Sequence, residues 1–364
     1  MAHPPLLLID NFLTAAGQNP GPTAALAGRL AAAGWPIRTT SRHANRLLRL
    51  GDMVGTVWRQ RQHYAVAAVA VYSGPAFFWA EAVCAALRAA GKPYVLTLHG
   101  GNLPAFAQAQ PDRVRALLAA AAAVTAPSPY LRDRLQPYRA DIRLVPNPLD
   151  LAAYPCRPRP TPGPQLIWLR AFHAIYNPTL APRVLAALVA DFPAVRQTMI
   201  GPDKDGSLAA VRATADALGV ADRLTLPGAV AKAAVPDWLA GGDIFLNTTN
   251  VDNTPISVLE ALACGLPVVS TAVGGIPDLL TDGVDALLVP ANDAPAMAAA
   301  VRRLWTEAGL ARRLAHAGRR TVAAADWGQV LPQWVALLTA VAAGAVPAVA
   351  TAVLGGGGAT NGTA

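Results

Sequence analysis

Lysine is nearly absent from this chain: Lys92, Lys204 and Lys232 are the only three among 364 residues, against 27 arginines. Charge as a whole is scarce, at 14% of residues, while 53% are hydrophobic. That balance excludes a disordered or mainly solvated chain, which cannot bury enough apolar surface to fold. The arginines are spread without a dense run, so the formal charge of +8 makes nucleic acid an outside reading, motivated by charge alone. Cysteine is as sparse. Cys84, Cys156 and Cys264 are odd in number, far apart and without metal-ligand spacing, which argues against a disulfide framework and suits a reducing compartment. The N-terminus lacks a basic region followed by an apolar core and a small-residue cleavage site, an argument against secretion. From Gly328 onward charge disappears altogether. Residues 331–354 have the length of a bilayer span, but Pro332, Gln333, Gly344 and Pro347 interrupt them and most of the apolarity is alanine. A packed helix over 328–342 and a disordered Ala/Gly tail over 343–364 are expected instead. No internal repeat of solenoid period is visible.

What the chain does have is alternation. Its length exceeds one ordinary core and suits two domains of roughly 150 residues. Apolar runs at 6–9, 66–72, 94–98, 124–126 and 143–146 alternate with helical patterns at 23–33, 77–90, 112–123 and 129–135, the order of a doubly wound α/β unit. Residues 35–61 are harder to read. There Arg42, Arg46, Arg49, Arg59 and Arg61 with Trp58 form either a solvated helical face or a surface for an anionic lipid headgroup or lipid-phosphate acceptor. Pro155, Pro158, Pro160, Pro162 and Gly163 then crowd a segment that can hold neither helix nor central strand, an extended linker. Beyond it, strands at 166–169, 195–200, 223–226, 243–246, 266–270 and 286–289 alternate with helices at 180–190, 208–219, 235–239, 257–264, 294–305 and from Leu310. The expected division is 1–152, a linker at 153–163, a second domain at 164–327 and a closing helix at 328–342.

Within the second domain, residues 247–278, NTTNVDNTPISVLEALACGLPVVSTAVGGIPD, organise the reading. Thr254 suits an N-cap and Pro255 the first helical position, where a missing N–H costs nothing. Gly265 ends that helix. A short buried strand follows, then the Gly274-Gly275 turn and Pro277, which can open a second helix. Two helix N-termini at one edge of a parallel sheet present free N–H groups and positive dipole ends to an anion, the outline of a phosphate site.

Glu260-Ala261-Leu262-Ala263-Cys264-Gly265-Leu266-Pro267-Val268-Val269 and Gly274-Gly275-Ile276-Pro277 resemble the donor-binding signature of retaining glycosyltransferases of family 4, the glycosyl transferases group 1. The resemblance implies the α/β GT-B fold, two Rossmann-like doubly wound domains facing across a cleft, with the last helices crossing back to the N-terminal, acceptor-side domain. It makes Glu260 similar to the family's ribose ligand, and Asp252, where the family usually has Glu, similar to the contact for donor-sugar hydroxyls. Asn253 replaces the family's Gly, and Thr254, Pro255, Ile256 and Ser257 fall on the donor loop and helix start. Arg170 matches half of a pyrophosphate clamp. The other half, a Lys about six residues later, falls at Tyr176-Asn177, so either these supply hydrogen bonds or Arg170 and the helix ends hold the phosphate. Gly201, in the turn after strand 195–200, is placed with the donor as well. His99-Gly100-Gly101-Asn102 resembles the family's His-Gly-Gly element, which implies that His99 contacts sugar or acceptor. Gly17 and Gly21 resemble its glycine loop without a Gly-Gly-x-Gly, and are equally ordinary turn residues. Asn147-Pro148-Leu149-Asp150 resembles Pro-Asn-Gly-x-Asp. Asp203-Lys204-Asp205 spells the metal motif of an unrelated fold, in a loop of polar turn residues without that fold's context.

The implied function is transfer of a sugar from a nucleotide-sugar donor, with retention, to an unknown acceptor: a glycan, a lipid or a small molecule. No metal, cofactor or protein nucleophile is expected, the nucleotide-sugar being a substrate. Arg170, His99 and Asp252 are the expected catalytic residues. A non-catalytic nucleotide-sugar or glycan-binding relative is the alternative, because Asp252 and the missing Lys weaken the donor grip. A basic nucleic-acid-binding protein is the outsider. The expected location is cytoplasmic, with peripheral contact to the anionic inner face of a membrane left open.

Overall fold

The computed structural model describes residues 3–12, 21–157 and 159–345. Two sheets of six strands each, parallel throughout their described pairings, organise the chain. The first holds β1 (Leu6–Ile9), β2 (Ile37–Thr40), β3 (Val66–Val71), β4 (Tyr94–Leu98), β5 (Ala123–Ala126) and β6 (Arg143–Leu144), in the spatial order β2-β1-β3-β4-β5-β6. Among them run α1 (Pro22–Ala32), α2 (Arg46–Arg59), α3 (Pro75–Ala89), α4 (Leu103–Ala109), α5 (Pro111–Ala119) and α6 (Pro129–Leu135). The second sheet holds β7 (Gln165–Leu169), β8 (Arg196–Ile200), β9 (Leu224–Gly228), β10 (Ile244–Asn247), β11 (Val268–Thr271) and β12 (Leu287–Val289), in the order β12-β11-β10-β7-β8-β9. Its helices are α7 (Leu180–Val189), α8 (Ser207–Ala217), α9 (Val235–Ala240), α10 (Ile256–Ala263), α11 (Ile276–Leu279), α12 (Ala294–Thr306) and α13 (Leu310–Ala323). A last helix, α14 (Trp327–Ala342), returns to the first sheet.

Strands buried on both faces explain the short, uninterrupted apolar runs. Side chains alternate along a strand with period two. Leu7, Ile9, Ala67 and Val69 therefore pack with Val57, Phe77 and Leu87 of α2 and α3. Leu6, Leu8, Val66 and Ala68 pack on the other face with Leu26 and Leu30 of α1 and Trp334 and Leu338 of α14. Full burial of each large apolar side chain contributes about 1.5–3 kcal/mol, so α14 is held to the first unit by its core side chains. At the crossing, Leu149 N donates to the Ala325 carbonyl at 2.7 Å and Trp327 N to the Leu149 carbonyl at 3.1 Å. The outward and return segments thus lie side by side.

Each sheet has one point where the chain order reverses, between β1 and β3 and between β7 and β10. Open α/β sheets bind ligands outside the carboxyl ends of the strands at such points. That places Asp10 and Tyr72 at one candidate edge, and Arg170 and Thr248 at the other.

Several local expectations are corrected. Residues 35–61 resolve into β2 and α2, and Arg49 is not part of a cationic surface: it is 7% exposed, because helical spacing turns it inward with Met53 and Val57. Its guanidinium donates to the His43 carbonyl at 2.8 Å and the Ala44 carbonyl at 3.0 Å. The helix expected at 112–123 ends at Ala119, and α4 precedes it. The Pro-rich linker is anchored. Buried Arg159 donates to the carbonyls of Gly242, Ala240, Leu239 and Cys264 at 2.6, 3.0, 3.2 and 3.2 Å. No helix among the described residues is long and apolar enough to cross a membrane. Gly17 and the tail from residue 346 lie outside the described residues.

Candidate functional site

Register brings the first pair of residues together. Ile244 and Phe245 of β10 align with Leu166 and Ile167 of β7, so the strands end side by side and release Arg170 and Thr248 at the same level. Trp168 Nε1 donates to Thr248 Oγ1 at 2.9 Å, and Thr248 Oγ1 donates to the Tyr176 carbonyl at 2.8 Å, which fixes the loop after β7 against the end of β10. On that frame the Arg170 guanidinium forms an ion pair with the Asp252 carboxylate and stacks on the Tyr176 ring, 4.3 Å from its centroid. Burial pushes the Asp252 carboxyl above the ordinary carboxylate range, and Arg170 opposes that shift. Arg170 Nε is buried and takes no hydrogen-bond partner among the described residues. Asn177 is turned elsewhere: it has a left-handed φ of +46°, and its amide donates to Asn292 Oδ1 at 2.8 Å.

Close backbone approach sets the position of Asp252. Gly274 has φ +56°, where L side chains are strained, and a Cβ there would collide with the Asp252 carbonyl. Gly275 N donates to that same carbonyl at 3.0 Å. Gly201, after β8, passes so near the Arg170 carbonyl that a side chain cannot fit, and its N–H donates to the Gly228 carbonyl at 2.9 Å.

Next along the chain is the start of α10. Here the expected capping is corrected: Pro255, with φ −69° and ψ 116°, occupies the N-cap and Thr254 makes no cap bond. A helix start leaves its first N–H groups without intrahelical acceptors, and these belong to Ile256 and Ser257. Ser257 Oγ and Thr254 Oγ1 are both buried without a partner among the described residues. Thr254 lines a cavity of about 460 Å³ between the two units, shared with Ser128, Asn147, Asp278, Arg320 and Thr321. The second expected helix N-terminus, at α11, has only four residues and carries no comparable dipole.

One turn further into α10, Glu260 is 3% exposed. Tyr154 Oη donates to its Oε1 at 2.6 Å, and the Lys232 ammonium pairs with the same oxygen. Burial, and then the Glu260 charge, push the Tyr154 phenol far above its usual range, so it is a permanent donor here.

Across from this edge stand the carboxyl ends of the first sheet. Gly101 packs so tightly on the Asp252 segment that a Cβ would lie 3.0 Å from the Asp252 carbonyl carbon. Ser128 Oγ donates to Asn253 Oδ1, a second link between the two edges. His99 is 7% exposed, stacks on Tyr72 with ring centroids 5.2 Å apart, and has Nε2 buried without a partner among the described residues. Burial lowers the His99 imidazole below its ordinary range against the pull of Asp10, whose Oδ2 accepts from Tyr72 Oη at 3.4 Å. Gly21 is the N-cap of α1, and Pro22 and Thr23, which follow it, line a small pocket together with His99 and Asn147.

Arg170, Tyr176, Asp252 and Asn253 thus form one cluster, Glu260 a second along α10, and His99 a third across the gap. Sequence reasoning missed Tyr154, Lys232, Asp10 and Tyr72. Asp10 and Tyr72 directly follow β1 and β3, a signal the switch-point rule could have used. Lys232 and Tyr154 reach Glu260 over 28 and 106 residues, and no local pattern announces either. Asp203 and Asp205 serve as turn acceptors, taking Gly206 N at 3.0 Å and Ser207 N at 3.1 Å, and Asp205 also takes Ala174 N of the loop after β7 at 2.8 Å. No cluster of three or more metal-ligating side chains occurs among the described residues.

Comparisons with known proteins add the family. A D-inositol 3-phosphate glycosyltransferase of Geodermatophilus obscurus is 32% identical over 186 residues, which cover 49% of this chain and 40% of that protein. The enzyme of the same name from Mycolicibacterium smegmatis is 32% identical over 34% of this chain and 29% of its own length. The match therefore spans less than half of these curated relatives. Among solved structures, Anabaena Alr3699/HepE in complex with UDP and glucose is similar with a TM-score of 0.74 at 18% identity, covering 93% of this chain and 100% of that one. Sucrose-phosphate synthase of Thermosynechococcus elongatus has a TM-score of 0.76 at 20% identity over 92% and 98%. At that identity the likeness shows the fold: two Rossmann-like units in the GT-B arrangement. Residues 20–153 match Glycosyltransferase Family 4 and residues 164–307 match Glycosyl transferases group 1. The chain belongs to the group 1, family 4 glycosyltransferases.

Proposed function

We propose that this chain transfers a sugar, with retention of anomeric configuration, from a nucleotide-sugar donor to an acceptor hydroxyl, without a metal. The observation that carries the reading is the row of groups along the second sheet's carboxyl edge: Arg170, the free N–H groups opening α10, and Glu260. A cation and a helix start suit a diphosphate, and a buried carboxylate beyond them suits a ribose. UDP in the complex of the Anabaena protein supports a uridine nucleotide. In this reading 164–327 is the donor domain, 1–152 the acceptor domain, and 153–163 the link between them.

As the sugar C1–O bond to the leaving phosphate breaks, negative charge grows on that phosphate. Arg170 and the Ile256 and Ser257 N–H groups stabilise it. The acceptor oxygen attacks C1 on the same face, and its proton passes to the departing phosphate oxygen, so no protein nucleophile takes part. Asp252 and His99 hold sugar hydroxyls from the two sides, the neutral imidazole donating or accepting through Nε2. Packing of the Gly101 loop on Asp252 excludes water and limits donor hydrolysis.

The reading extends to a lipid-side acceptor. Leu47, Leu48 and Trp58 of α2 are 81%, 61% and 40% exposed, with exposed Arg42, Arg46, Arg59 and Arg61 around them. Leu47 and Trp58, about three turns apart, share one helix face. Apolar side chains ringed by arginine suit an anionic membrane surface. Co-sedimentation with anionic but not neutral vesicles, lost in Leu47→Ser/Trp58→Ser, is expected. Equal recovery with both vesicle types contradicts it.

The donor is tested by thermal shift against a panel of nucleotide-sugars, where ligand at about 100 times its dissociation constant adds roughly 2.7 kcal/mol. NMR of the product with the selected donor then reads the anomer. Retention supports the mechanism. Inversion, or binding without transfer to any hydroxyl acceptor, overturns it and favours the non-catalytic relative.

A further inference from the structure

Two side chains from distant parts of the chain converge on one oxygen of Glu260. Tyr154 comes from the segment between the sheets, and Lys232 from the turn between β9 and α9. Both contacts fall on Oε1, and Oε2 takes no hydrogen bond from the described residues. The Glu260 side chain is 3% exposed, whereas Lys232 is 39% exposed, so the pair runs from the core outward. A lone carboxylate on α10, where every residue from Ser257 to Ala263 is buried, would carry a large desolvation cost. The ammonium and the phenol offset that cost. They also fix the rotation of the carboxylate, because two contacts on one oxygen leave the other oriented.

We propose that Lys232 is a positioning residue. By holding Oε1 it aims Oε2 at the ribose hydroxyls, and so sets a preference for ribonucleotide over 2′-deoxyribonucleotide donors. The inference rests on the reading of this edge as a nucleoside diphosphate site. Its chemistry is that of a site built to accept a hydroxyl: an analogue lacking the hydroxyl leaves a buried acceptor unpaired and is rejected far more strongly than by loss of contact area alone. Loss of the ammonium frees the carboxylate to turn, and the preference falls with it. The nearby backbone supports the placement. Gly201 N bonds the Gly228 carbonyl at the end of β9 and Arg170 N bonds the Ile200 carbonyl at the end of β8, so only β8 lies between the turn that carries Lys232 and the strand end that carries Arg170.

The test is calorimetric titration of UDP and 2′-deoxy-UDP into the full chain, as wild type, Lys232→Met, Lys232→Arg and Tyr154→Phe, with circular dichroism to verify folding. Wild type is expected to prefer UDP by about tenfold or more, as for one charge-assisted hydrogen bond. Lys232→Met reduces that ratio towards one, mainly through weaker UDP binding. Lys232→Arg keeps most of it, and Tyr154→Phe lowers it in part. A purely structural role would weaken both nucleotides equally and leave the ratio unchanged, which overturns the proposal. If Lys232→Met does not fold, an unchanged ratio in Tyr154→Phe overturns it, and a reduced one, with Lys232→Arg preserved, upholds it. Wild type that binds UDP without discrimination defeats the Lys232 assignment alone. Wild type that binds no nucleoside diphosphate defeats the donor-site reading and this inference together.

Discussion

Arg170 and Asp252 form an ion pair across 82 residues of sequence, with side chains 18% and 9% exposed. One lies just past β7 and the other in the loop after β10, and only the reversal of strand order between those neighbours makes them meet. The pair belongs to the proposed leaving-group site.

Arg170→Ala is expected to lower turnover by about 10² to 10³, as loss of one anion-stabilising donor does, and to weaken donor binding by much less. Arg170→Lys recovers only part, since a point charge cannot copy the guanidinium fork or its stacking on Tyr176. Steady-state kinetics with separate kcat and KM values read the difference. Turnover near wild type in Arg170→Ala removes its role.

Chelation should leave transfer intact. Asp203 and Asp205 accept from Gly206 N and Ser207 N, as turn residues do, and Asp205 also accepts from Ala174 N of the loop after β7. Assays with and without EDTA check this. Activity lost in EDTA, restored by Mg²⁺ or Mn²⁺ and absent in Asp203→Ala would make that motif a metal site after all.

Acidification should lower stability through His99. Burial lowers its folded pKa below the unfolded value of about 6.5. Its contribution is therefore complete above about 6.5 and is lost as pH falls from there toward the lowered folded value, because the unfolded chain takes the proton first. Between pH 7.5 and 5.5 the Tm of wild type should drop more than that of His99→Gln. Parallel profiles would mean that the imidazole is solvated.

Much of this was legible in the sequence, for reasons particular residues show. Runs such as Leu6–Ile9 and Val268–Thr271 are buried on both faces and read as parallel strands from composition alone. The Gly274 turn and the body of α10 were legible because the backbone demands of glycine and proline are local. Arg49 was not, since an arginine's burial depends on carbonyls and on Trp79, whose ring lies 5.2 Å beneath it. The linker shows the same limit. Its prolines announce extended chain, but nothing near Arg159 shows that its guanidinium will find carbonyls 80 to 105 residues away. Pro255 took the N-cap expected of Thr254 because an N-cap takes extended backbone, which proline also adopts.

Arg159→Ala should cost about 1–3 kcal/mol, the range for leaving a buried acceptor without its charge-assisted donor. The Gly242 carbonyl then stands without a donor among the described residues, while Cys264 keeps Arg157 N, Ala240 the Arg157 guanidinium and Leu239 Gly242 N. Chemical denaturation measures it. Nucleotide affinity of the folded fraction is expected to stay near wild type, and a loss below about 0.5 kcal/mol in stability would show that the linker is not anchored through this residue.

Titration of UDP into wild type and Glu260→Ala tests the central claim, that α10 and the β7 edge form a nucleotide-sugar site. A buried carboxylate accepting ribose hydroxyls makes charge-assisted hydrogen bonds of roughly 1.5–3 kcal/mol, so affinity should fall by about ten to a hundredfold in a folded Glu260→Ala protein. Unchanged UDP affinity in that variant would contradict the claim and place the donor elsewhere.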